Sequence, residues 1–286
     1  VIVCVRDSDC ETNGVLERSK RDSLLSTTLK IAVVQQPGSI PARAEGTRLA
    51  KGDIVCFTDD DSRPHPDWLE RIEEHYEDPQ VGGVGGQDIV YLHGVKCKTD
   101  PRKAIGKVQW FGRLIGEHHQ GSFETLEVDH LKSVNMSCRR KCLDPFDESL
   151  IGSVQLRDDT DISLTMKGKG FKIIYDPEIK VDHFPGVQFS RGGRGAVTEE
   201  TVYELGFNST YVLLKHLPPL RRFLFLIYFF GMGDTGSPGI VKGFELAAKN
   251  KSLGPLRFLV PATRGKLHGW RQYCKRAAMK RRERRA

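Results

Sequence analysis

Three consecutive carboxylates, Asp59, Asp60 and Asp61, directly follow an apolar segment with strand propensity at 53–58. They therefore project from the end of a strand. Adjacent like charges repel one another, and a bound cation relieves that repulsion. Hard oxygen ligands suit Mg²⁺ or Mn²⁺, which would bridge to phosphate oxygens. The alternative is a solvated acidic turn that leads into the next helix, with Asp67 near its start.

A second acidic group, Asp158-Asp159-Thr160-Asp161, stands at the start of a predicted helix. Acids at a helix N-terminus favour the helix dipole and cap its free N–H groups, so that this cluster alone serves structure as readily as chemistry. Further along the chain, His183 ends a predicted strand. A histidine there can ligate a metal, although a lone histidine more often fills a surface or core position.

The segments around these residues alternate between strand-like and helix-like patterns. In the first half of the chain the predicted strands are Val1–Val5, Lys30–Gln35 and Asp53–Thr58, and the predicted helices are Leu16–Leu29, Ile40–Ala50 and Asp67–Tyr76. Strands separated by helices predict an α/β fold with a mostly parallel, doubly wound sheet. Ligands of such sheets bind beyond the carboxyl ends of the strands, which is where Asp7 and the Asp59–Asp61 group fall.

The second half of the chain is less regular. The glycine run 82–86 predicts a flexible stretch before a short strand at Gln87–Leu92, and it does not match the dinucleotide-binding fingerprint. Further strands are predicted at 171–176 and 180–183, and further helices at 159–168, 200–215, 220–230 and 266–285.

Taken together, the order and spacing of these clusters resemble those of family 2 glycosyltransferases, which have the GT-A fold. The matching segments cover residues 1 to about 190 and are Ile40–Ala44 before Gly52–Ile54, Phe57–Asp61 followed by Pro66–Leu69, Val134–Arg140, Pro145–Glu148, Asp158–Asp161, and Gly170–Ile173 leading to Val181–His183. Six segments in the family's order make the resemblance specific. The resemblance implies that Val1–Val5 corresponds to the family's second strand, so that we expect the family's first strand to be missing from this sequence.

The resemblance implies a role for each matching position. Asp61 and Asp59 correspond to metal ligands of the family's DxD motif, and His183 corresponds to a position that supplies a metal ligand in some members. Asp159 corresponds to the general base. The positions that the resemblance assigns to nucleotide-sugar binding are Asp7, Arg43, Asp59 and Asp60.

These roles imply an inverting glycosyltransferase that moves a sugar from a nucleoside-diphosphate sugar to a hydroxyl of a polysaccharide, glycan or lipid-linked acceptor, with Mn²⁺ or Mg²⁺ as cofactor. Inverting transfer is a single displacement that needs one base and no protein nucleophile. The resemblance also implies a place in cell envelope polysaccharide biosynthesis. The alternative is a GT-A module that binds nucleotide and metal without turnover, and Asp159 counts against it because a pure binder needs no base.

We expect a GT-A catalytic domain at 1–195, with a nucleotide-binding half at 1–90 and an acceptor half at 91–195. Residues 196–286 then form a helical, basic C-terminal extension. The net charge is +7, yet residues 264–286 carry ten Lys or Arg against one acid, so that this tail is +9 and the rest of the chain −2. A near-neutral body without a nucleic-acid motif predicts no nucleic-acid partner, and the tail predicts an anionic one.

The apolar segment Phe223–Met232 is about half as long as the ~20 residues that a membrane helix needs. With the basic tail it favours one of two arrangements. Either the chain lies peripherally on the inner, anionic face of a membrane, or the segment packs on the body and the tail is solvated. The seven cysteines are odd in number and scattered, which is typical of the reduced thiols of a cytoplasmic protein.

Overall fold

A computed structural model describes residues 1–21, 28–152, 156–185 and 197–283. The strands are β1 (Ile2–Arg6), β2 (Lys30–Val34), β3 (Ile54–Phe57), β4 (Ser62–Pro64), β5 (Val81–Leu92), β6 (Val95–Lys96), β7 (Lys107–Val108), β8 (Leu114–Ile115), β9 (Leu126–Glu127), β10 (Met136–Arg139) and β11 (Lys172–His183). The helices are α1 (Cys10–Arg21), α2 (Ser39–Leu49), α3 (Trp68–His75), α4 (Asp158–Gly168), α5 (Glu199–His216), α6 (Pro219–Gly231), α7 (Ile240–Lys249) and α8 (Leu259–Glu283).

β1 and β2 form a parallel two-stranded sheet, in which Ile2 lies opposite Lys30 and Arg6 lies opposite Val34. Helix α2 packs on both strands. Strands β1 to β3 and helix α2 lie where their sequence patterns predict them, to within one residue at each end. Apolar runs bounded by polar residues therefore identify this part of the fold locally.

The larger sheet has the strand order β3-β10-β5-β11-β4, and β6 and β9 extend it beside β5 and β11. β5 and β11 pair in parallel over the longest ladder, whereas the shorter strands pair antiparallel. The α/β class is confirmed, with a mixed sheet where mostly parallel pairing was predicted. One reason lies in the connections, because parallel neighbours need long crossovers, whereas β6 follows its neighbour β5 after a tight turn and pairs with it antiparallel.

The glycine run 82–86 lies inside β5, near the middle of the larger sheet, and the prediction of a flexible stretch is wrong. All of these glycines are buried. A Cβ added to Gly85 would lie 2.5 Å from the carbonyl oxygen of Asn135, and one added to Gly86 would collide with the carbonyl oxygen of Ile179. Glycine is therefore needed here for the close approach of neighbouring backbones.

Helices α3 and α4 cover opposite faces of the larger sheet. Along β10, Met136 and Cys138 belong to the apolar cluster that includes Met166 of α4. Between them, Ser137 forms a 3.0 Å hydrogen bond with Tyr76, which follows α3. Because alternate side chains of a strand lie on opposite faces, each face carries its own core. Together the two cores fix β3, β5 and β11, and they thereby fix the positions of the ends of these strands.

The C-terminal helices α5 and α8 pack against each other along their length. A Cβ at Gly269 of α8 would collide with the carbonyl oxygen of Phe207 in α5. Lys266 is buried and donates hydrogen bonds to the carbonyl oxygens of Phe229 at 2.7 Å and Pro238 at 2.9 Å. The basic segment predicted as a helix is thus partly core. Within the described ranges, no helix is long and apolar enough to cross a membrane.

An ionic network joins these C-terminal helices to α4. Lys215 of α5 donates to Asp147 at 2.9 Å and to Asp161 of α4 at 2.7 Å. Tyr211 of α5 and Arg276 of α8 also donate to Asp147. Burial raises the pKa of Asp147, but the hydrogen bond and charge of Lys215 and the charge of Arg276 outweigh burial and lower the pKa to about 2.

Candidate active site

Asp59, Asp61 and His183 meet at one end of the larger sheet. The two aspartates belong to the turn between β3 and β4, and β4 pairs with the end of β11 so that Ser62 lies opposite His183. The Phe184 N–H donates to the carbonyl oxygen of Asp61 at 2.8 Å. One ligand atom from each of the three side chains falls within 4.8 Å of the others. The three predicted metal ligands therefore form one cluster.

His183 is the buried member of this triad, and Asp59 and Asp61 are half-buried. His183 is 5% exposed, and within the described part of the chain both of its ring nitrogens are buried without a hydrogen-bond partner. Its Nε2 lies 3.3 Å from a carboxylate oxygen of Asp61. Burial raises the pKa of Asp59; the charge of Arg43 opposes this rise, and the charge of Asp61 adds to it. Two carboxylates beside an unsatisfied buried imidazole fit a divalent cation.

The donor set also agrees with the metal expected from the sequence. Two carboxylates and one imidazole are ligands that Mn²⁺ accepts readily, and Mg²⁺ accepts the carboxylates. Three protein ligands leave the other coordination positions for phosphate oxygens and water. The cluster Asp59, Asp61 and His183 could therefore hold a metal together with a bound diphosphate.

Asp88 of β5 lies on the other side of the His183 ring. Its side chain is fully buried, and one carboxylate oxygen lies 3.7 Å from Nδ1 of His183. Lys132 forms an ion pair with the same carboxylate. Burial raises the pKa of Asp88, yet the net shift is downward because His183 and Lys132 stabilise the charged form. A carboxylate behind a metal-ligating histidine orients its ring.

Neither Asp88 nor Lys132 was singled out from the sequence. A signal was present, because Asp88 is a carboxylate inside the apolar strand segment 81–90 and a buried charge requires a partner. That partner could not be identified, since 95 residues separate Asp88 from His183 in the chain.

Arg43 of α2 faces the acidic start of α4. It forms an ion pair with the buried carboxylate of Asp158, which also accepts a 3.1 Å hydrogen bond from Ser39. The charge of Arg43 also acts on Asp59, whose pKa it lowers against the effect of burial. Arg43 therefore connects the two acidic clusters that the sequence shows separately.

Asp159, the predicted base, lies in the first turn of α4 and is half-buried. Its carboxylate accepts hydrogen bonds from the N–H groups of Thr160 at 2.6 Å and Ser133 at 3.4 Å. Arg157, just before the helix, has a φ of 82°, in the left-handed region that residues other than glycine rarely adopt. Such strained residues concentrate at functional sites.

One backbone segment connects the predicted base with the predicted metal ligands. Ser133 donates to Asp159, and its neighbour Lys132 pairs with Asp88, which in turn contacts His183. Two consecutive residues thus contact Asp159 on one side and the carboxylate beside His183 on the other.

Two of the predicted residues lie at the margin of this site. Asp60 is exposed between the two aspartates of the triad. Asp7 is exposed just beyond β1, in the separate two-stranded sheet, and the structure does not bring it into the group around His183.

Comparison with known proteins bears on this geometry. Residues 2–140 match the model of glycosyl transferase family 2. The match includes Arg43 and the Asp59–Asp61 turn, and it ends before Asp159 and His183. The glucosyl-dolichyl phosphate glucuronosyltransferase of Haloferax volcanii is 31% identical over 100 residues, which are 35% of this chain and 30% of that protein. The matched segment thus spans less than a third of the relative's length.

Two solved structures resemble the whole chain. TarS of S. aureus, in complex with UDP-GlcNAc, has a TM-score of 0.57 and 15% identity, and covers 92% of this chain and 70% of its own. A mannosyltransferase of Pyrobaculum calidifontis, in complex with GDP-Man and Mn²⁺, has a TM-score of 0.50 and 18% identity, and covers 98% of this chain and 76% of its own. These likenesses confirm the GT-A fold.

Proposed function

We propose, from the match of residues 2–140 to the model of glycosyl transferase family 2, that the chain transfers a sugar from a nucleoside-diphosphate sugar to an acceptor hydroxyl with inversion at the anomeric carbon. The observation that carries the proposal is the meeting of Asp59, Asp61 and His183 in one cluster. Asp88, Lys132 and Ser133 form a series of contacts from this cluster to Asp159. Asp159 and His183 lie outside the family match.

Asp159 is the proposed general base. The N–H groups of Thr160 and Ser133 hold its carboxylate in place, and its remaining lone pairs can accept a proton. It takes the proton of the acceptor hydroxyl while that oxygen bonds to the anomeric carbon. The bond from this carbon to the diphosphate breaks in the same step, and the nucleoside diphosphate leaves with the electron pair.

The proposed metal ligands are Asp59, Asp61 and His183. A Mn²⁺ or Mg²⁺ held by these residues would supply positive charge against the negative charge of the departing diphosphate. Arg43 places a second positive charge between the two acidic clusters. The side chains proposed to contact the nucleotide sugar are Asp7, Arg43, Asp59 and Asp60.

We assign the catalytic domain to residues 1–195, with the donor bound by 1–90 and the acceptor by 91–195, and a supporting role to the extension 196–286. The Haloferax volcanii relative is named for glucosyl-dolichyl phosphate. On that basis the proposed acceptor is lipid-linked, and the proposed location is cytoplasmic and peripheral to the inner face of a membrane. The product then contributes to cell envelope polysaccharide.

Asp61→Ala tests the proposal, because the variant removes one carboxylate of the metal cluster. UDP and GDP are titrated separately into the full chain by calorimetry, with and without Mn²⁺. We expect the parent chain to bind one of them with a requirement for Mn²⁺, and the variant to lose at least about tenfold in that affinity. Asp53→Ala is the matched control, since Asp53 is almost fully exposed just before β3.

Unchanged Mn²⁺-dependent affinity in Asp61→Ala would remove this cluster from the proposal. Turnover is then assayed with UDP-GlcNAc and GDP-Man, the donors held by the structural neighbours. Tight nucleotide binding by the parent chain without hydrolysis or transfer of any donor would favour the binding module over the enzyme.

A further inference from the structure

Helices α6 and α7 and the start of α8 expose many large apolar side chains. Those more than half exposed are Leu220, Phe223, Ile227, Ile240, Val241, Phe244 and Val260, together with Leu253 between α7 and α8. We call this set the α6–α7 surface. The elements that carry it adjoin one another, because α6 contacts α7, α7 contacts the turn at 254–258, and this turn contacts α8. Soluble proteins seldom expose so many large apolar side chains together.

Helix α6 shows why this surface is separate from the core. Phe225 and Phe229 are buried and pack in the cluster beneath the helix, whereas Phe223 and Ile227 are exposed. Both pairs are spaced by four residues, so that each pair lies on one face of the helix. Helix α6 is therefore apolar both on the face that packs in the core and on the face that is exposed.

A hairpin from the sheet domain borders this surface. Arg221 of α6 donates to the carbonyl oxygens of Trp110 at 2.8 Å and Gln109 at 2.9 Å. Phe111 packs edge-on against Tyr228 of α6, with ring centroids 4.8 Å apart. The Trp110 ring itself is largely exposed. Tryptophan is enriched where one part of a ring meets lipid and another meets water.

The charge of this region selects among the candidate partners. Residues 217–283 contain 14 Lys or Arg against three Asp or Glu, a net charge of +11. Lys249, Lys251 and Arg264 are exposed next to the apolar side chains of α7 and α8. A second copy of the chain would bring two such basic regions face to face, which like-charge repulsion opposes. An anionic surface is attracted instead.

We propose that the α6–α7 surface lies in the headgroup region of an anionic lipid bilayer, with α6 parallel to the membrane plane. Apolar side chains enter the boundary of the acyl chains, and the surrounding Lys and Arg side chains contact anionic headgroups. Helix α6 has 13 residues and is too short to span the bilayer.

The inference rests on the proposed function, because membrane contact would serve an enzyme whose lipid-linked acceptor reaches the site from a membrane. The bordering hairpin is connected to that site. The N–H of Val108 donates to the Asp129 carboxylate at 2.7 Å, and Ser133, four residues later, donates to the proposed base Asp159. The stretch 129–133 therefore contacts both the bordering hairpin and the proposed base.

The test is co-sedimentation of the full chain with vesicles of phosphatidylcholine and phosphatidylglycerol at roughly 3:1, and with vesicles of phosphatidylcholine alone. The double variant Phe223→Gln, Ile227→Gln removes apolar side chains without adding charge. The control is Phe123→Gln, Leu69→Gln, which changes two side chains of matched type that lie outside this surface and are at least as exposed. Thermal melts check that all three proteins are folded.

We expect the parent chain and the control to pellet with the anionic vesicles and less with the neutral ones. The Phe223 and Ile227 variant should lose at least about tenfold in partitioning. Equal partitioning of the two double variants, or no binding by the parent chain, overturns the inference. The inference is also overturned if light scattering shows that the parent chain and the control are dimers and that the Phe223 and Ile227 variant is a monomer. Vesicle binding is measured without nucleotide, so that it does not depend on transfer activity. A chain without transfer activity can still bind vesicles, and a chain that does not bind vesicles can still be an active transferase.

Discussion

The substitution Asp147→Asn should lower the free energy of unfolding by about 2.5 kcal/mol at neutral pH. The Asp147 side chain is 5% exposed and accepts hydrogen bonds from Lys215 and Tyr211, both at 2.9 Å, and from Arg276. These partners lower its pKa from 3.8 to about 2. Each pKa unit between the unfolded and folded states corresponds to about 1.4 kcal/mol, which gives the stated magnitude.

The pH dependence follows from the direction of this shift. Because the pKa of Asp147 is lower in the folded chain, its contribution is fully present above about pH 4 and is lost as the pH falls towards 2. Urea unfolding followed by circular dichroism at about pH 7, 5 and 3 measures the difference between parent and variant. The difference should be the same at pH 7 and 5 and close to half as large at pH 3.

Asp144→Asn is the matched control for this experiment. Asp144 also pairs with a lysine, Lys169 at 2.6 Å, but its side chain is 54% exposed. Solvent screens such a pair, so that the control should change the free energy of unfolding by less than about 1 kcal/mol. Equal losses in both variants, or a loss in Asp147→Asn that persists at low pH, would refute the assignment of this stability to the buried network.

Two further predictions concern the active site. Asp159→Asn should lower kcat at least ~10²-fold while donor affinity stays unchanged, because a base acts on the acceptor proton. Steady-state kinetics measures this change, and near-normal turnover in the variant would place the base elsewhere. Asp88→Asn should weaken Mn²⁺ binding about 10- to 100-fold, because the carboxylate orients the His183 ring. A calorimetric Mn²⁺ affinity equal to that of the parent chain would assign the ring orientation to other contacts.

Local sequence pattern was sufficient for a large part of the fold and of the candidate site. The first three strands and α2 lie within one residue of their predicted ends. The reason is that an apolar run bounded by polar residues reports burial without reference to the rest of the chain. The Asp59–Asp61 group could be placed at a strand end in the same way, since it directly follows such a run.

Other parts of the site depend on contacts between distant segments. The glycines at 82–86 have the composition of a flexible linker, yet they form a buried strand because neighbouring carbonyl groups leave no room for a Cβ. Asp88 acquires its role only through His183 and Lys132. No local pattern contains the identity of such partners.

The sequence by itself determined which residues could perform the chemistry, because acidic turns, an acidic helix start and a histidine at a strand end are local features. Tertiary structure alone decided which of them meet. β4 pairs with the end of β11 and brings Asp61 to His183, while Asp7 follows a strand of the separate two-stranded sheet and is not part of this cluster. It also decided that α6 buries one apolar face and exposes the other, because burial of a face depends on what packs against it, and not on its composition.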